Sequence, residues 1–170
     1  MLNLTRTFDG YQFVIAAAPS IPVDFYKEII SGFPVSIVYG QTYDLLHHAK
    51  AALVTSGTAT LETALMGVPQ VVCYKGSYLS YLVARQMVHV KYISLVNLVM
   101  DREIIHELVQ DQLTPKELEN ELTAILSGPG REEILSGYSK LREKLGGHGA
   151  SATTARLIIQ YLTQKSVNKE

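Results

Sequence analysis

"LVTSGTATLETALMGVPQVVCYK", Leu53 to Lys75, is the stretch that decides the fold. It opens on an apolar run and passes through Ser56-Gly57-Thr58 into small and apolar residues. It then returns through Gly67-Val68-Pro69 to a second apolar run. Continuous rather than alternating hydrophobicity marks parallel strands covered on both faces. The stretch therefore predicts strand, helix, strand. The helix is expected over Thr58–Met66, with Leu61, Ala64 and Leu65 on one face and Gly67 as its stop.

Working outward, the same grammar repeats. Strands are expected at Gln12–Ala17, Val35–Val38, Ala51–Val54 and Gln70–Cys73, and helices at Val23–Ser31, Thr42–His48 and Tyr78–Met87. Pro22 suits the first of these helix starts. Alternating β and α elements predict an α/β fold, a Rossmann-like doubly wound parallel sheet flanked by helices. After Lys91 the pattern changes to a loop, a helix and a stop. Pro115–Leu126 reads as an acidic amphipathic helix with Thr114 as N-cap and Glu117 completing a capping box. Two further helices are expected at Gly130–Leu145 and Ser151–Leu162, with "LGGHGAS" as the break between them. No domain boundary is visible, so residues 1–170 read as a single domain.

Composition bounds the function. The 170 residues carry a net charge of -1, 47% hydrophobic and 18% charged residues, which suits a globular protein. No basic cluster supports nucleic-acid binding. The single cysteine, Cys73, lies in an apolar run, so an internal disulfide is excluded and a buried thiol is expected. No apolar run has the length of a membrane span, and "MLNLTRTFDG" lacks a signal-peptide core. These readings suit the cytoplasm. His47 and His48 are adjacent and face different ways on a helix, and His89, His106 and His148 lack ligand spacing, so no metal site and no cofactor are expected.

Ligands of open α/β sheets bind at the carboxyl ends of the strands. Ser56-Gly57-Thr58 lies at such an end, where the first N–H groups and the dipole of the following helix favour an anion such as phosphate. Glu62 suits a neutral diol, because a carboxylate accepts hydrogen bonds from two hydroxyls. A nucleotide with phosphates on the helix end and ribose on Glu62 fits both. Ordinary capping by Ser-Gly-Thr, with a dipole-favoured Glu, fits the local residues as well. Lys75 reads either as a phosphate contact or as a solvated lysine. Ser77–Val88, with Arg85 as its one charge, reads as core or interface packing rather than an interfacial helix.

"GQTYDLLHHAKAALVTSGTATLETALMGVPQVVCYK" together with "YISLVNLVMDREIIHELVQDQLTPKELENEL" resembles the C-terminal half of lipid-A-disaccharide synthase, a GT-B glycosyltransferase family of Gram-negative bacteria. The specific part is the combination of Ser56-Gly57-Thr58-Ala59-x-Leu61-Glu62, Pro69-Gln70-Val71-Val72 with Tyr74, and Tyr92-x-Ser94-Leu95-x-Asn97-Leu98. The resemblance implies the half of a GT-B enzyme that binds the donor, UDP-2,3-diacylglucosamine. The family transfers 2,3-diacylglucosamine from UDP to 2,3-diacylglucosamine 1-phosphate in lipid A biosynthesis. By position, Ser56, Gly57 and Thr58 would contact the phosphates and Glu62 the ribose. Gly40 would lie near the uracil, Tyr74 would border the donor, and Asn97 would be the catalytic residue, donating to a phosphate or sugar oxygen.

The departures are equally specific. The family's Leu-Pro-Gly-Ser-Arg loop and its N-terminal acceptor domain have no counterpart here, so the isolated chain is expected to be inactive. A lost charge-assisted contact of about 1.5–3 kcal/mol would also weaken donor binding. The C-terminal helices, with Ile158, Ile159 and Leu162 uncovered, are expected to drive homo-oligomerisation. Family members act at the inner face of the inner membrane, which implies peripheral membrane contact. Two other readings stand beside this one. One is the donor half of another UDP-sugar GT-B enzyme, such as the lipid II glucosaminyltransferase or a UDP-N-acetylglucosamine epimerase. The other is a non-catalytic Rossmann-like binding module.

Overall fold

The computed structural model describes residues 1–55, 57–76, 91–146 and 149–167. Ser56, the expected Tyr78–Met87 helix, His89 and His148 lie outside the described residues. The elements run α1 (Leu4–Thr7), β1 (Phe13–Ala17), α2 (Val23–Ile30), β2 (Val35–Tyr39), α3 (Thr42–His48), β3 (Ala52–Val54), α4 (Thr58–Leu65) and β4 (Gln70–Tyr74). They continue with α5 (Leu95–Met100), β5 (Glu107–Val109), a 3-10 turn (Gln110–Gln112), α6 (Pro115–Leu126), α7 (Pro129–Leu145) and α8 (Ala150–Val167). All strand pairings among the described residues are parallel, with helices in the crossovers, as the apolar runs predict. The ladder is nevertheless split. β1 pairs with β2, and β3-β4-β5 form a separate sheet.

The core gathers on β4. Val71, Val72 and Cys73 are buried, and α4, α5, α6 and α7 supply Ala64, Val96, Leu118, Leu122, Ile125, Ile134, Tyr138 and Leu141. The α4 face differs from the expected one. Thr60, Thr63 and Ala64 are buried, whereas Leu65 is exposed. The threonine hydroxyls can be buried because they donate to the carbonyls of Gly57 (2.8 Å) and Ala59 (2.7 Å). α4 ends in a Schellman motif: Val68 N–H reaches Thr63 O, Gly67 N–H reaches Ala64 O, and Gly67 takes φ +76°.

α7 is riveted to this core by polar contacts. Tyr138 Oη donates to Val68 O (3.2 Å) and accepts from Gln70 Nε2, which also donates to Thr60 O (2.8 Å). Arg142 donates to Leu65 O (2.6 Å), the last turn of α4, where a cation opposes the helix dipole. Gly137 allows close packing, since a Cβ there would meet Ile104 Cγ2 at 2.5 Å. The expected Thr114 cap forms, with Oγ1 accepting from Glu117 N–H at 3.2 Å. Thr114 N–H turns instead to Gln112 O, so the reciprocal half of the capping box is absent. The β1-α2-β2 segment is thinly covered, and α2 buries no residue. On α8, Leu157, Ile158, Ile159 and Tyr161 are exposed.

Candidate functional site

The carboxyl end of β3 leads into α4 through Gly57, the N-cap residue of that helix. Its φ of +128° and ψ of -161° lie in a region open to glycine alone. A Cβ at Gly57 would meet nothing within 4 Å. The glycine is thus required by backbone conformation, not by crowding. Gly57 has no side chain with which to cap α4, and among the described residues no cap is seen on the N–H groups of Thr58 and Ala59, whereas Thr60 N–H turns to Gly57 O at 3.2 Å. Glu62 follows one turn later on the same face and is half-buried. Among the described residues nothing pairs with its carboxylate. Gly40, exposed with φ +67°, ends β2 on the same carboxyl side of its own ladder. Tyr74 ends β4, and its hydroxyl lies close to Gly76.

Asn97 departs from its expected role. It is fully buried, and its carboxamide is spent on the protein. Nδ2 donates to Ile105 O (2.8 Å) and Glu107 Oε1 (2.9 Å), while Oδ1 accepts from the N–H groups of Ile104 (2.7 Å) and Ile105 (3.1 Å). Both amide hydrogens are used, so none is left for a phosphate or sugar oxygen. Asn97 holds the turn between α5 and β5. Ser94 Oγ caps α5 by accepting from Asn97 N–H, and Glu107 accepts from Ile93 N–H (2.7 Å) and Ser94 N–H (2.9 Å). The Ser94-Asn97-Glu107 group therefore fixes where the chain after Lys91 enters the sheet.

Two residues here escape the sequence reading. Glu107 joins the Asn97 cluster from the short strand β5. Gln110, at the carboxyl end of β5, is buried at a strained φ of +52°. Its Oε1 accepts from Gly76 N–H (3.3 Å), tying the ends of β4 and β5 together, and its Nε2 has no partner among the described residues. Burial pushes the Cys73 thiol up to about 11, in keeping with a core residue.

A cavity of about 410 Å³ lies away from the Gly57 motif. It is lined by Glu103, Glu107, Asp111, Glu117 and Glu121, with His106 Nδ1 2.6 Å from Glu121 Oε1. That many carboxylates repel an anionic ligand, so this cavity does not suit a phosphate.

Fold and site together define a parallel α/β half fold of the Rossmann-like kind, with a glycine-headed helix opening at the carboxyl ends of its strands. Comparison with known proteins is specific. The family model described as lipid-A-disaccharide synthetase matches residues 5–159. The chain belongs to that family. It is 40% identical over 156 residues to the lipid-A-disaccharide synthase of Syntrophus aciditrophicus, covering 89% of this chain and 41% of the relative. The enzyme of that name from Solibacter usitatus is 34% identical over 155 residues, covering 91% and 41%. The one from Acidobacterium capsulatum is 44% identical over 108 residues, covering 63% and 27%. The chain thus spans about two fifths of the first two relatives.

Proposed function

We propose that this chain is the donor-binding part of a lipid-A-disaccharide synthase. It binds UDP-2,3-diacylglucosamine for transfer of the diacylglucosamine to 2,3-diacylglucosamine 1-phosphate. The observation that supports this reading is the start of α4, headed by Gly57 and followed on the same face by Glu62, whose carboxylate has no partner among the described residues. Ser56, Gly57 and Thr58 bind the diphosphate through N–H and hydroxyl donors. Glu62 accepts from the ribose hydroxyls, Gly40 borders the uracil, and Tyr74 borders the donor at the end of β4. Asn97 enters as a positioning residue, through the Ile104–Glu107 turn. Residues 1–170 act as one domain.

The relatives are more than twice as long as the matched region, and this reading assigns the acceptor site to their remaining part. The purified 170-residue chain should therefore make no disaccharide. Activity at the inner face of the inner membrane suits a lipid acceptor. Among the described residues no helix is long and apolar enough to cross a membrane.

The test is a UDP titration followed by backbone amide NMR, with ADP as control and Glu62→Gln alongside. Selective shifts at Gly57, Thr58 and Ala59 with UDP, weakened in the variant, are the expected result. Equal shifts with ADP would overturn the uridine-nucleotide reading, and none at millimolar UDP would leave simple helix capping.

A further inference from the structure

We propose that Gln110 is a ligand-binding residue whose side-chain amide donates to an oxygen of the sugar carried by the bound nucleotide. The inference rests on the donor reading above and deepens it, by placing the sugar at the carboxyl ends of β4 and β5.

Gln110 breaks two local rules at once. It holds φ +52° immediately after β5. Positive φ is uncommon outside glycine, and Asn, Asp and His are the usual exceptions. The residue also buries its carboxamide with half of it unused. It is 7% exposed, and Nε2 has no partner among the described residues. Burying an amide donor without an acceptor is a cost that folds ordinarily remove. Turning the amide over does not help. Oε1 accepts from Gly76 N–H, and an inverted carboxamide would set two donors face to face. Local rules broken together at one residue mark a functional position.

The place in the fold says what the donor is for. Gln70 Oε1 is also buried and without a partner among the described residues. Gln70, however, begins β4, at the amino end of the sheet, and its Nε2 is bound to Thr60 O and Tyr138 Oη in the core. Gln110 lies at the opposite end, where open α/β sheets bind their ligands. Val54 stands beside Val72, and Tyr74 beside Val109. Carried past the ladders, this register brings Gly57, Lys75 and Gln110 to one level. Gly57 and Gln110 are then two strand spacings apart, about 10 Å. A pyranose linked to a diphosphate at Gly57 crosses the end of β4 and reaches Gln110.

The surroundings suit an uncharged, oxygen-rich group. Gly76, the residue that Gln110 holds, is exposed. A Cβ there would meet Tyr74 Oη at 3.3 Å and its ring at 3.5 Å, so the glycine lets Tyr74 lie over this end of the sheet. Tyr74 is half-buried, and rotation of its ring opens the way to Nε2. Hydroxyls and an N-acyl carbonyl of a hexosamine accept hydrogen bonds, and a carboxamide nitrogen only donates them.

The experiment uses the 15N-labelled chain, with UDP and UDP-N-acetylglucosamine as probes. The readout is the side-chain NH2 pair of Gln110, identified by its proximity to the Gly76 amide and by its loss in Gln110→Glu. That variant keeps an oxygen for Gly76 N–H and removes the donor. Both nucleotides should shift the Gly57 and Thr58 amides, and only the sugar nucleotide should shift the Gln110 pair. In Gln110→Glu the preference for UDP-N-acetylglucosamine over UDP should fall by about threefold to tenfold, with UDP affinity held within about twofold. If the variant does not fold, the parent's side-chain resonances decide alone. The proposal is overturned if the Gln110 pair stays still while Gly57 responds to the sugar nucleotide. It is equally overturned if UDP alone moves the pair as far, since Nε2 would then meet a phosphate. A chain in which neither nucleotide moves Gly57 loses the donor reading itself, and this proposal with it.

Discussion

Replacing Asn97 by alanine separates a residue that builds the fold from one that touches the ligand. Ile105 is fully buried, and both its N–H and its C=O are satisfied by the Asn97 carboxamide. The substitution orphans both, and also releases Ile104 N–H and one bond to Glu107. Each orphaned buried group costs about 1–3 kcal/mol, so the two on Ile105 alone cost about 2–6 kcal/mol. A central value of about 4 kcal/mol is a large share of the roughly 5–15 kcal/mol that holds a typical domain together. At about 2–4 °C per kcal/mol for a chain of this size, Tm should fall by roughly 8–16 °C. Circular dichroism during thermal and urea unfolding measures this. Asn97→Asp should not rescue, because it supplies no donor and sets a second carboxylate beside Glu107. The reasoning is refuted if Asn97→Ala melts within about 2 °C of the parent, a shift worth under about 1 kcal/mol. If that variant also lost UDP binding, the amide would belong to the ligand after all.

Three other outcomes follow from the same structure. Gly57→Ala should cost about 1–3 kcal/mol, because alanine cannot adopt φ +128° without strain, and it should weaken UDP binding by displacing the start of α4. Urea unfolding and the UDP titration read the two effects separately. Gly137→Ala places a Cβ against Ile104 Cγ2 and should destabilise by about 1–3 kcal/mol, with the largest NMR shifts at Ile104 and Ile105. Burial pushes the Cys73 thiol up from its ordinary 9.0 to about 11, so its contribution is complete below pH 9 and lost as the pH rises through about 11. Tyr138, raised by its own burial, acts in the same direction. Stability should therefore decline above pH 9, less steeply in Cys73→Ala. The native thiol should react with Ellman's reagent at pH 8 only as fast as the protein opens.

The legible parts of the sequence were those where local and tertiary demands coincide. Pro115–Leu126 carries its own cap, proline start and apolar stripe, and α6 has those bounds. The apolar runs gave β1 to β4 within a residue or so, because a strand covered on both faces has no polar alternation to blur its ends. β5 was hidden: three residues, of which only Leu108 is buried, make no periodic signal. Apolarity alone does not mark the inner face of α4. Thr60 and Thr63 are buried through hydroxyl bonds to their own helix, which hydropathy does not register. The proposed site was legible only in part. Gly57 and Glu62 stand out by type and spacing, but Asn97 looks like a ligand contact until its four bonds are seen. Glu107 and Gln110 are ordinary polar residues whose importance arises only from what the fold brings to them.

That α2 has no buried residue bears on cooperativity. The helices and strands from Ala52 to Leu145 share one apolar cluster, cross-linked by Tyr138 and Gln70 over a separation of 68 residues. The β1-α2-β2 segment holds to that cluster chiefly through its edge, by way of Phe13 and the neighbouring Leu4 and Phe8. Such an arrangement should not melt as one unit. An early, smaller part of the unfolding signal should belong to the amino-terminal βαβ segment, and the main transition to the rest. A single free energy of unfolding would then average two quantities, and substitutions in α2 would leave the main transition where it is.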